Sequence, residues 1–369
     1  MKNTAETNLR ITKFREAFVK LGEILRAATP DHIREVRTED LREYIPVIDE
    51  LALRVSENNP WFTPENVRYA LECTGKSLEP EKLDRWLKPY MALMPHNGAE
   101  PKLIGVVMAG NIPAVGFHDF ISVLLSGHRF LGKASSKDEI ILPGLADVLI
   151  SLEPGLKDYI SFTTGRLTGF DAVIATGSDN SARYFRYYFA RYPYIIRHNR
   201  TSVAFLTGDE SEHDLKMLGR DVFLYFGLGC RSVSKLFLPE KMNPDRIASA
   251  WDEYTYLIDH EKYRNNYDYR KSIMMVNRIE FTDTGFVLLQ QEEGIASPVA
   301  VVYYEFYHDR GHLASMLDLH KDHIQCIVGD RNLIETAVPF GHAQQPELWD
   351  YADNVDTIEF LLKLYDDKS

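Results

Sequence analysis

The sequence predicts an α/β protein: two Rossmann-like three-layer α/β/α domains with an N-terminal helical region. Three observations lead there. At roughly 150 residues per domain, a chain of 369 residues holds two domains. Up to about residue 95, apolar positions recur at three- and four-residue spacing. From Lys102 onward, short apolar runs alternate with helical stretches, the βαβα order that builds a mainly parallel sheet with helices on both faces.

Ile11, Phe14, Phe18, Leu21 and Leu25 share one helical face, and this helix is expected to end before Pro30. A second helical stretch runs from about Thr38 to Val55 and is expected to bend or break at Pro46. A third opens at Thr63-Pro64, a cap residue followed by proline in the first turn. The whole region reads as a packing layer without chemistry. Strands follow at Leu103–Met108, His128–Gly132, Tyr159–Thr163, Asp171–Ala175 and Tyr194–Arg197, with helices at Pro113–Leu125, Asp138–Leu152 and Asn180–Arg191 between them. A second run begins near Ser202. It has strands Val203–Leu206, Val233–Leu238, Pro298–Phe306 and Ile324–Val328, and helices Glu212–Phe226, Asp245–Tyr256 and Arg310–Leu319. A domain boundary is therefore expected near residue 200.

Composition narrows the function classes. The hydrophobic fraction of 45% and charged fraction of 26% are those of a globular chain, and no apolar stretch approaches the roughly 20 residues of a membrane span. Met1 to Arg10 is polar and carries no secretory pattern, so the expected compartment is the cytoplasm. A net charge of −12 argues against nucleic acid as a partner. Cys73, Cys230 and Cys326 are too widely spaced for a disulfide framework or a Cys-x-x-Cys site. His308 and His312 alone have helical metal-ligand spacing and lack a following Glu, so no metal is expected.

Two segments stand out as chemistry. In Phe226-Gly-Leu-Gly-Cys230-Arg-Ser, a glycine turn exposes backbone amides and Arg231 adds a cation, conditions that favour a reactive thiolate, although a cysteine there can equally be a small buried hydrophobe. In Gly105-Val-Val-Met-Ala-Gly-Asn-Ile-Pro, Asn111 follows a strand, where its amide serves either a turn or an oxyanion. The middle glycine of a dinucleotide fingerprint is missing between Gly110 and Gly116. Ala70–Ser77 mimics a phosphate loop but continues a helix. Arg183 to Arg200 mixes arginines with tyrosines and reads as a helix with its aromatics facing the core and its arginines facing water.

Five segments, in order, resemble the aldehyde dehydrogenase superfamily and, more closely, the fatty acyl-CoA reductase family of bacterial bioluminescence operons. They are Asn111-Ile-Pro, Ser126-Gly-His-Arg-Phe-Leu-Gly-Lys-Ala-Ser-Ser, Ala175-Thr-Gly-Ser, Phe226-Gly-Leu-Gly-Cys and Ile295-Ala-Ser-Pro-Val. The tail from Val338-Pro-Phe-Gly-His-Ala through Leu348-Trp-Asp-Tyr-Ala-Asp-Asn-Val-Asp-Thr points to the reductase branch. The resemblance spans roughly Trp61 to the C-terminus and implies an aldehyde dehydrogenase-like fold. Residues 1–200 would hold the helical region and a dinucleotide-binding domain joined by part of 325–369, and 201–340 the catalytic cysteine domain. It implies Cys230 as nucleophile and Asn111 as oxyanion donor. Met108, Ala109, Lys133, Ser135, Ser136, Gly177 and Ser178 would contact the cofactor, and the protein would be a homo-oligomer.

Departures from the family pattern refine this. Where hydrolytic relatives carry the glutamate that activates water, this chain reads Arg197-His-Asn-Arg-Thr-Ser, which suits acyl exchange with a thiol such as coenzyme A. Gly294 stands where relatives have a cofactor-contacting glutamate, which leaves Glu292 and Glu293 open as substitutes. Ser136 followed by Lys137 replaces the acid that binds a ribose hydroxyl, favouring NADPH, with NADH possible. The resulting expectation is NAD(P)H-dependent reduction of a small-molecule acyl-CoA to an aldehyde, or the reverse, through acyl-Cys230. An acyl-phosphate reductase and a non-catalytic scaffold with the same fold are the alternatives.

Overall fold

The computed structural model describes residues 2–27, 39–94 and 99–366. The chain divides into two compact units, one comprising residues up to His198 together with those from Glu347 onward, the other Asn199–Pro346.

The first unit begins with α1 (Lys2–Ala27), whose Phe14, Phe18, Leu21 and Leu25 are buried, as their spacing requires. Its expected end at Pro30 and the expected start of the next element at Thr38 lie outside the described residues. A 3-10 turn, Glu39–Tyr44, precedes α2 (Ile45–Asn58). Pro46 sits in the first turn of α2, where its missing N–H is no loss, so the proline opens a helix instead of breaking one. Thr63 caps α3 (Pro64–Ser77) by accepting the Asn66 N–H at 3.3 Å. The phosphate-loop-like string lies inside α3, where a Cβ on Gly75 would meet the Arg26 nitrogen and Gly22 oxygen at 2.9 Å; the glycine serves helix packing. The sequence gives α4 (Pro80–Leu87) no separate boundaries within the helical region, although it buries Leu83, Trp86 and Leu87 on one face.

The sheet of this unit contains β1 (Leu103–Val107), β2 (Arg129–Lys133), β3 (Ile160–Phe162), β4 (Ala172–Thr176) and β5 (Tyr194–Arg197), in the order β3-β2-β1-β4-β5 among the described residues. Every pairing is parallel. On one face lie α5 (Phe117–Leu125) and α6 (Ile141–Leu152), backed by α1; Phe18 meets Phe117 and Phe120 edge-on at 6.1 and 6.0 Å. On the other lies α7 (Asp179–Phe189), where Phe185 and Phe189 pack toward Phe170 and Val173. Tyr184, Tyr187 and Tyr188 instead face solvent, 65, 82 and 55% exposed. The aromatics of this helix therefore do not all face the core: at 100° per residue, the pair 185 and 189 is centred about 125° around the helix from the group 184, 187 and 188. Helix α5 starts at Phe117, four residues later than its period suggests, because residues 111–116 form a turn with Ala114 at φ +58°.

The returning C-terminal segment is tied in by buried polar groups. Arg197, at the end of β5, donates through Nη1 to both Asp119 oxygens at 2.8 and 2.6 Å, and through Nη2 to Thr357 Oγ1 at 2.8 Å, at the start of α12 (Thr357–Lys363). Arg197 and Asp119 are 5 and 6% exposed. His128 bonds the Leu361 carbonyl at 2.9 Å, and burial pushes its imidazole down to about 4. Trp86 donates to Tyr351 at 2.8 Å.

The second unit contains β6 (Thr201–Phe205), α8 (Glu212–Phe223), β7 (Val233–Pro239), α9 (Asp245–Ala250), α10 (Glu261–Asn277), β8 (Thr282–Asp283), β9 (Leu288–Gln291), β10 (Val301–Tyr307), α11 (Arg310–Leu319) and β11 (Ile324–Val328). Among the described residues the strand order is β11-β6-β7-β10-β9-β8, parallel except for β8. The sequence reading contains neither α10 nor the short strands β8 and β9. Along the 17 residues of α10 only Tyr263, Tyr267 and Met274 are buried, so the helix carries almost no apolar period. Among the described residues, no helix is long and apolar enough to cross a membrane.

Removing one partner of the Arg197–Asp119 pair leaves the other charge buried. Asp119→Ala is expected to cost about 3–5 kcal/mol in urea unfolding, and the joint replacement Asp119→Leu/Arg197→Met less than that single change. Equal cost for the single and the double variant would contradict this reading.

Candidate active site

In the first unit, parallel pairing places the carboxyl ends of β2, β1 and β4 side by side, and the segments leaving them carry most of the residues singled out in the sequence. Met108 donates its N–H to the Lys133 carbonyl at 3.1 Å, while its side chain is buried beside Gly116. Ala109, Asn111, Lys133 and Ser135 are half-buried, and Ser136 is exposed. A Cβ on Gly110 would lie 2.6 Å from Ser135 Cβ, so glycine is what lets the Asn111 turn and the Ser135 loop touch. Gly177 donates to the Arg197 carbonyl at 3.3 Å, and Ser178 caps α7 by accepting the Ser181 N–H at 3.3 Å.

Asp138 links two of these segments, and sequence reading gives it no role beyond opening a helix. Its Oδ2 accepts the N–H of left-handed Ala114 at 3.1 Å and its Oδ1 that of Ile141 at 3.3 Å, where α6 begins. It thereby ties the Asn111 turn to the loop of Ser135 and Ser136. Asn59 extends the brace by donating to the Lys137 carbonyl at 3.1 Å. The signal available in the sequence is an aspartate two residues before the apolar run that opens α6.

In the second unit, Cys230 sits half-buried on the turn between α8 and β7. Helix α8 stops at Phe223, not at Phe226, because Tyr225 and Phe226 both adopt left-handed backbone, at φ 56° and 57°. Two consecutive bulky residues there are strained by about 1–2 kcal/mol each. Packing holds them: the Phe226 ring lies 4.3 Å from the His260 ring and 6.0 Å from that of Tyr263. A cavity of about 20 Å³, room for one or two waters, lies beneath Phe226 and Gly227 and is walled by Val233, Ser234, Tyr263 and Ser297.

The turn itself is braced from both sides. Ser202 on β6 donates to the Cys230 carbonyl at 3.0 Å and accepts the Cys326 N–H at 3.2 Å, with the Cys326 thiol 3.1 Å away. Ser232 accepts the Gly229 N–H at 3.2 Å and a bond from Gln344 Nε2 at 3.0 Å. Arg231 Nε donates to the Ala343 carbonyl. Ser202, Gln344 and Cys326 are separated from Cys230 by 28 to 114 positions, so no local pattern marks them. Ser234 and Lys235 on β7 hold the loop after β9 by donating to the Ile295 and Glu292 carbonyls. The Glu292 carboxylate turns back on that loop, accepting the Glu293 N–H at 3.0 Å. Among the described residues, no three His, Cys, Asp or Glu side chains stand together as a metal site.

Comparison with solved structures defines the fold. The chain is similar to a Mycobacterium tuberculosis aldehyde dehydrogenase complexed with NAD+ (TM-score 0.57, 14% identity, covering 85% of this chain and 75% of that one). It is similar to an aldehyde dehydrogenase C variant from Pseudomonas syringae bound to NAD+ and octanal (TM-score 0.57, 10% identity, 91% and 80%). A Bacillus cereus aldehyde dehydrogenase in complex with NAD+ matches likewise (TM-score 0.56, 12% identity, 85% and 74%). The fold is that of the aldehyde dehydrogenases. None of the curated proteins matches the chain. Among family models, the one described as acyl-CoA reductase (LuxC) matches residues 30–254, more than half of the chain and a span containing Asn111, Lys133 and Cys230. The chain belongs to this family and is an oxidoreductase acting on aldehyde or acyl groups.

Burial pushes the Asp138 carboxyl up to about 6, against the pull of its two N–H donors. The folded protein thus holds this proton more tightly than the unfolded chain, and the contribution of Asp138 to stability declines as pH rises from about 4 to about 6. Asp138→Asn does not titrate, so it is expected to gain on the wild type by up to about 1.4 kcal/mol per pH unit across that window. Urea unfolding of both proteins at each end of the window measures it; a constant difference would contradict the assignment.

Proposed function

We propose that the chain reduces an acyl-CoA thioester to the aldehyde, or runs the reverse reaction, through a covalent acyl-Cys230 intermediate, with NADPH as cofactor and NADH as the alternative. The observation that carries this reading is the Cys230 turn: a half-exposed thiol on a strained, cross-braced glycine turn within the span that matches the reductase family. A structural cysteine needs none of that bracing, whereas a nucleophile gains rate from a fixed approach.

The Cys230 thiolate attacks the thioester carbon. A backbone N–H of the Cys230 turn donates to the oxygen as it becomes anionic, a role the family resemblance gives to the Asn111 amide as well, and the coenzyme A thiolate leaves with the electron pair of the broken C–S bond. The segment where hydrolytic relatives carry a water-activating glutamate begins here with Arg197, whose guanidinium is committed to Asp119 and Thr357, and it contains no carboxylate through Ser202. Water is therefore a poor acceptor for the acyl group, and a thiol a good one.

A nicotinamide cofactor fits the first unit: a parallel sheet, segments converging after β1, β2 and β4, and a glycine contact that brings two of them together. The NAD+ complexes of the fold relatives support the same cofactor class. Lys133, Ser135, Ser136, Gly177, Ser178 and the main chain of Met108 and Ala109 would hold it, and when bound it supplies the hydride that converts the acyl-enzyme to the aldehyde level. Exposed Ser136 and Lys137 suit a 2′-phosphate, which a ribose-binding acid would repel. We place the protein in the cytoplasm as a homo-oligomer.

Oxidation of NADPH and NADH by purified protein across acyl-CoA chain lengths tests the reading. Cys230→Ser is expected to abolish turnover, and Asn111→Ala to lower kcat by about 10²–10³-fold. Full activity of Cys230→Ser would end the proposal. Reduction of acyl phosphates with no acyl exchange into coenzyme A would replace it with the acyl-phosphate reading.

A further inference from the structure

We propose that Asp221 is a positioning residue for Cys230, acting through the segment Gly341–Gln344. The proposal deepens the reading above and rests on Cys230 being the nucleophile.

Asp221 lies on the last turns of α8 and is 1% exposed. Its two oxygens accept main-chain N–H groups from one short segment: Oδ2 from Gly341 at 2.6 Å and Oδ1 from Ala343 at 2.8 Å. The same segment grips the Cys230 turn. The Ala343 carbonyl takes the Arg231 Nε bond, and Gln344, only 7% exposed, donates to Ser232 Oγ at 3.0 Å. Ser232 in turn closes the turn on itself, accepting from Gly229 at 3.2 Å while its own N–H reaches the Gly229 carbonyl at 3.0 Å. A single carboxylate is thus the anchor of a chain that runs from α8 through residues 341–344 to the residues on either side of the nucleophile. Gly341 adopts φ +82°, which directs its N–H at Asp221 without side-chain strain.

The arrangement is costly unless it does something for the turn. A buried carboxylate loses its hydration, and a carboxamide or an apolar side chain would fill the same space at a smaller loss. What only a carboxylate provides is two acceptor oxygens for two converging N–H groups. Asn offers one acceptor and turns an NH₂ toward the second N–H, so the segment loosens at one end. Arg231, the cation adjacent to Cys230 in the chain, is then released along with the turn amides, and both are groups that stabilise a thiolate. Asp221 touches neither substrate nor cofactor in this scheme; it acts through the turn.

The test uses the full-length protein with Asp221→Asn and Gln344→Ala, each checked for folding by circular dichroism and thermal melting. Two quantities are read: the pH midpoint of Cys230 alkylation by iodoacetamide, followed by mass spectrometry of the Cys230 peptide, and the kcat and KM for acyl-CoA reduction. Asp221→Asn is expected to raise the alkylation midpoint by half a pH unit or more and to lower kcat at least tenfold, with KM for the acyl-CoA and the nicotinamide cofactor within twofold. Gln344→Ala, which removes one of the two bonds between the segment and the turn but leaves the carboxylate in place, shifts both readouts in the same direction. A folded Asp221→Asn protein with unchanged midpoint and kcat overturns the proposal. Should that variant not fold, Gln344→Ala decides on the same criteria. The alkylation midpoint needs no turnover, so it separates this inference from the parent reading. An active Cys230→Ser protein defeats the reading, whereas an inactive one beside a normal Asp221→Asn protein defeats only the positioning role.

Discussion

Parallel hydrogen bonding within the two sheets is the constraint on which the candidate sites depend. When every strand of a sheet runs the same way, each must be followed by a crossover, and the segments that leave the carboxyl ends collect along one edge. In the first unit this brings the turn of Asn111, the loop of Ser135 and Ser136 and the cap at Ser178 to neighbouring positions, although 67 residues separate Asn111 from Ser178. In the second, pairing of β6 with β7 sets Ser202 beside the start of the strand that follows the Cys230 turn. Side-chain chemistry is thereby gathered by backbone geometry before any side chain makes a specific contact.

Buried and half-buried carboxylates then fix what the sheets gather. Asp119 receives Arg197 and so ties the returning C-terminal segment to the end of β5. Asp138 pins the left-handed Ala114, and Asp221 pins residues 341–343. Asp119 balances its charge with a guanidinium. Asp138 and Asp221 rely on backbone N–H donors, and burial pushes their carboxyls up to about 6 and about 7. For Asp221 the nearby Arg220 and Arg231 oppose that rise without cancelling it.

Strand and helix order was legible because burial imposes a period. Tyr194–Arg197, Arg310–Leu319 and Ile324–Val328 carry enough apolar residues, with enough punctuation around them, to be read to the residue. Helix α10 was not, since a surface helix rich in Tyr, Arg and Asn buries too little to leave a stripe. The start of α5 and the end of α8 depart from the periodic pattern for a shared reason. Each adjoins left-handed backbone at a non-glycine residue, Ala114 in one case and Tyr225 and Phe226 in the other, and local propensity opposes that conformation. These two departures fall at the turns that carry the candidate catalytic residues.

By itself the sequence determined the α/β class, the helical packing layer, the family resemblance and the identity of Cys230 and Asn111 as the residues to ask about, because these follow from periodicity and short contiguous motifs. Tertiary structure alone decided how those residues are held. The partners of the Cys230 turn, Ser202, Gln344 and, through Ala343, Asp221, come from distant stretches of chain and are ordinary polar residues in local context. A hydrogen bond between residues a hundred positions apart leaves no local periodicity or spacing, since its geometry exists only after the sheet has brought both ends together.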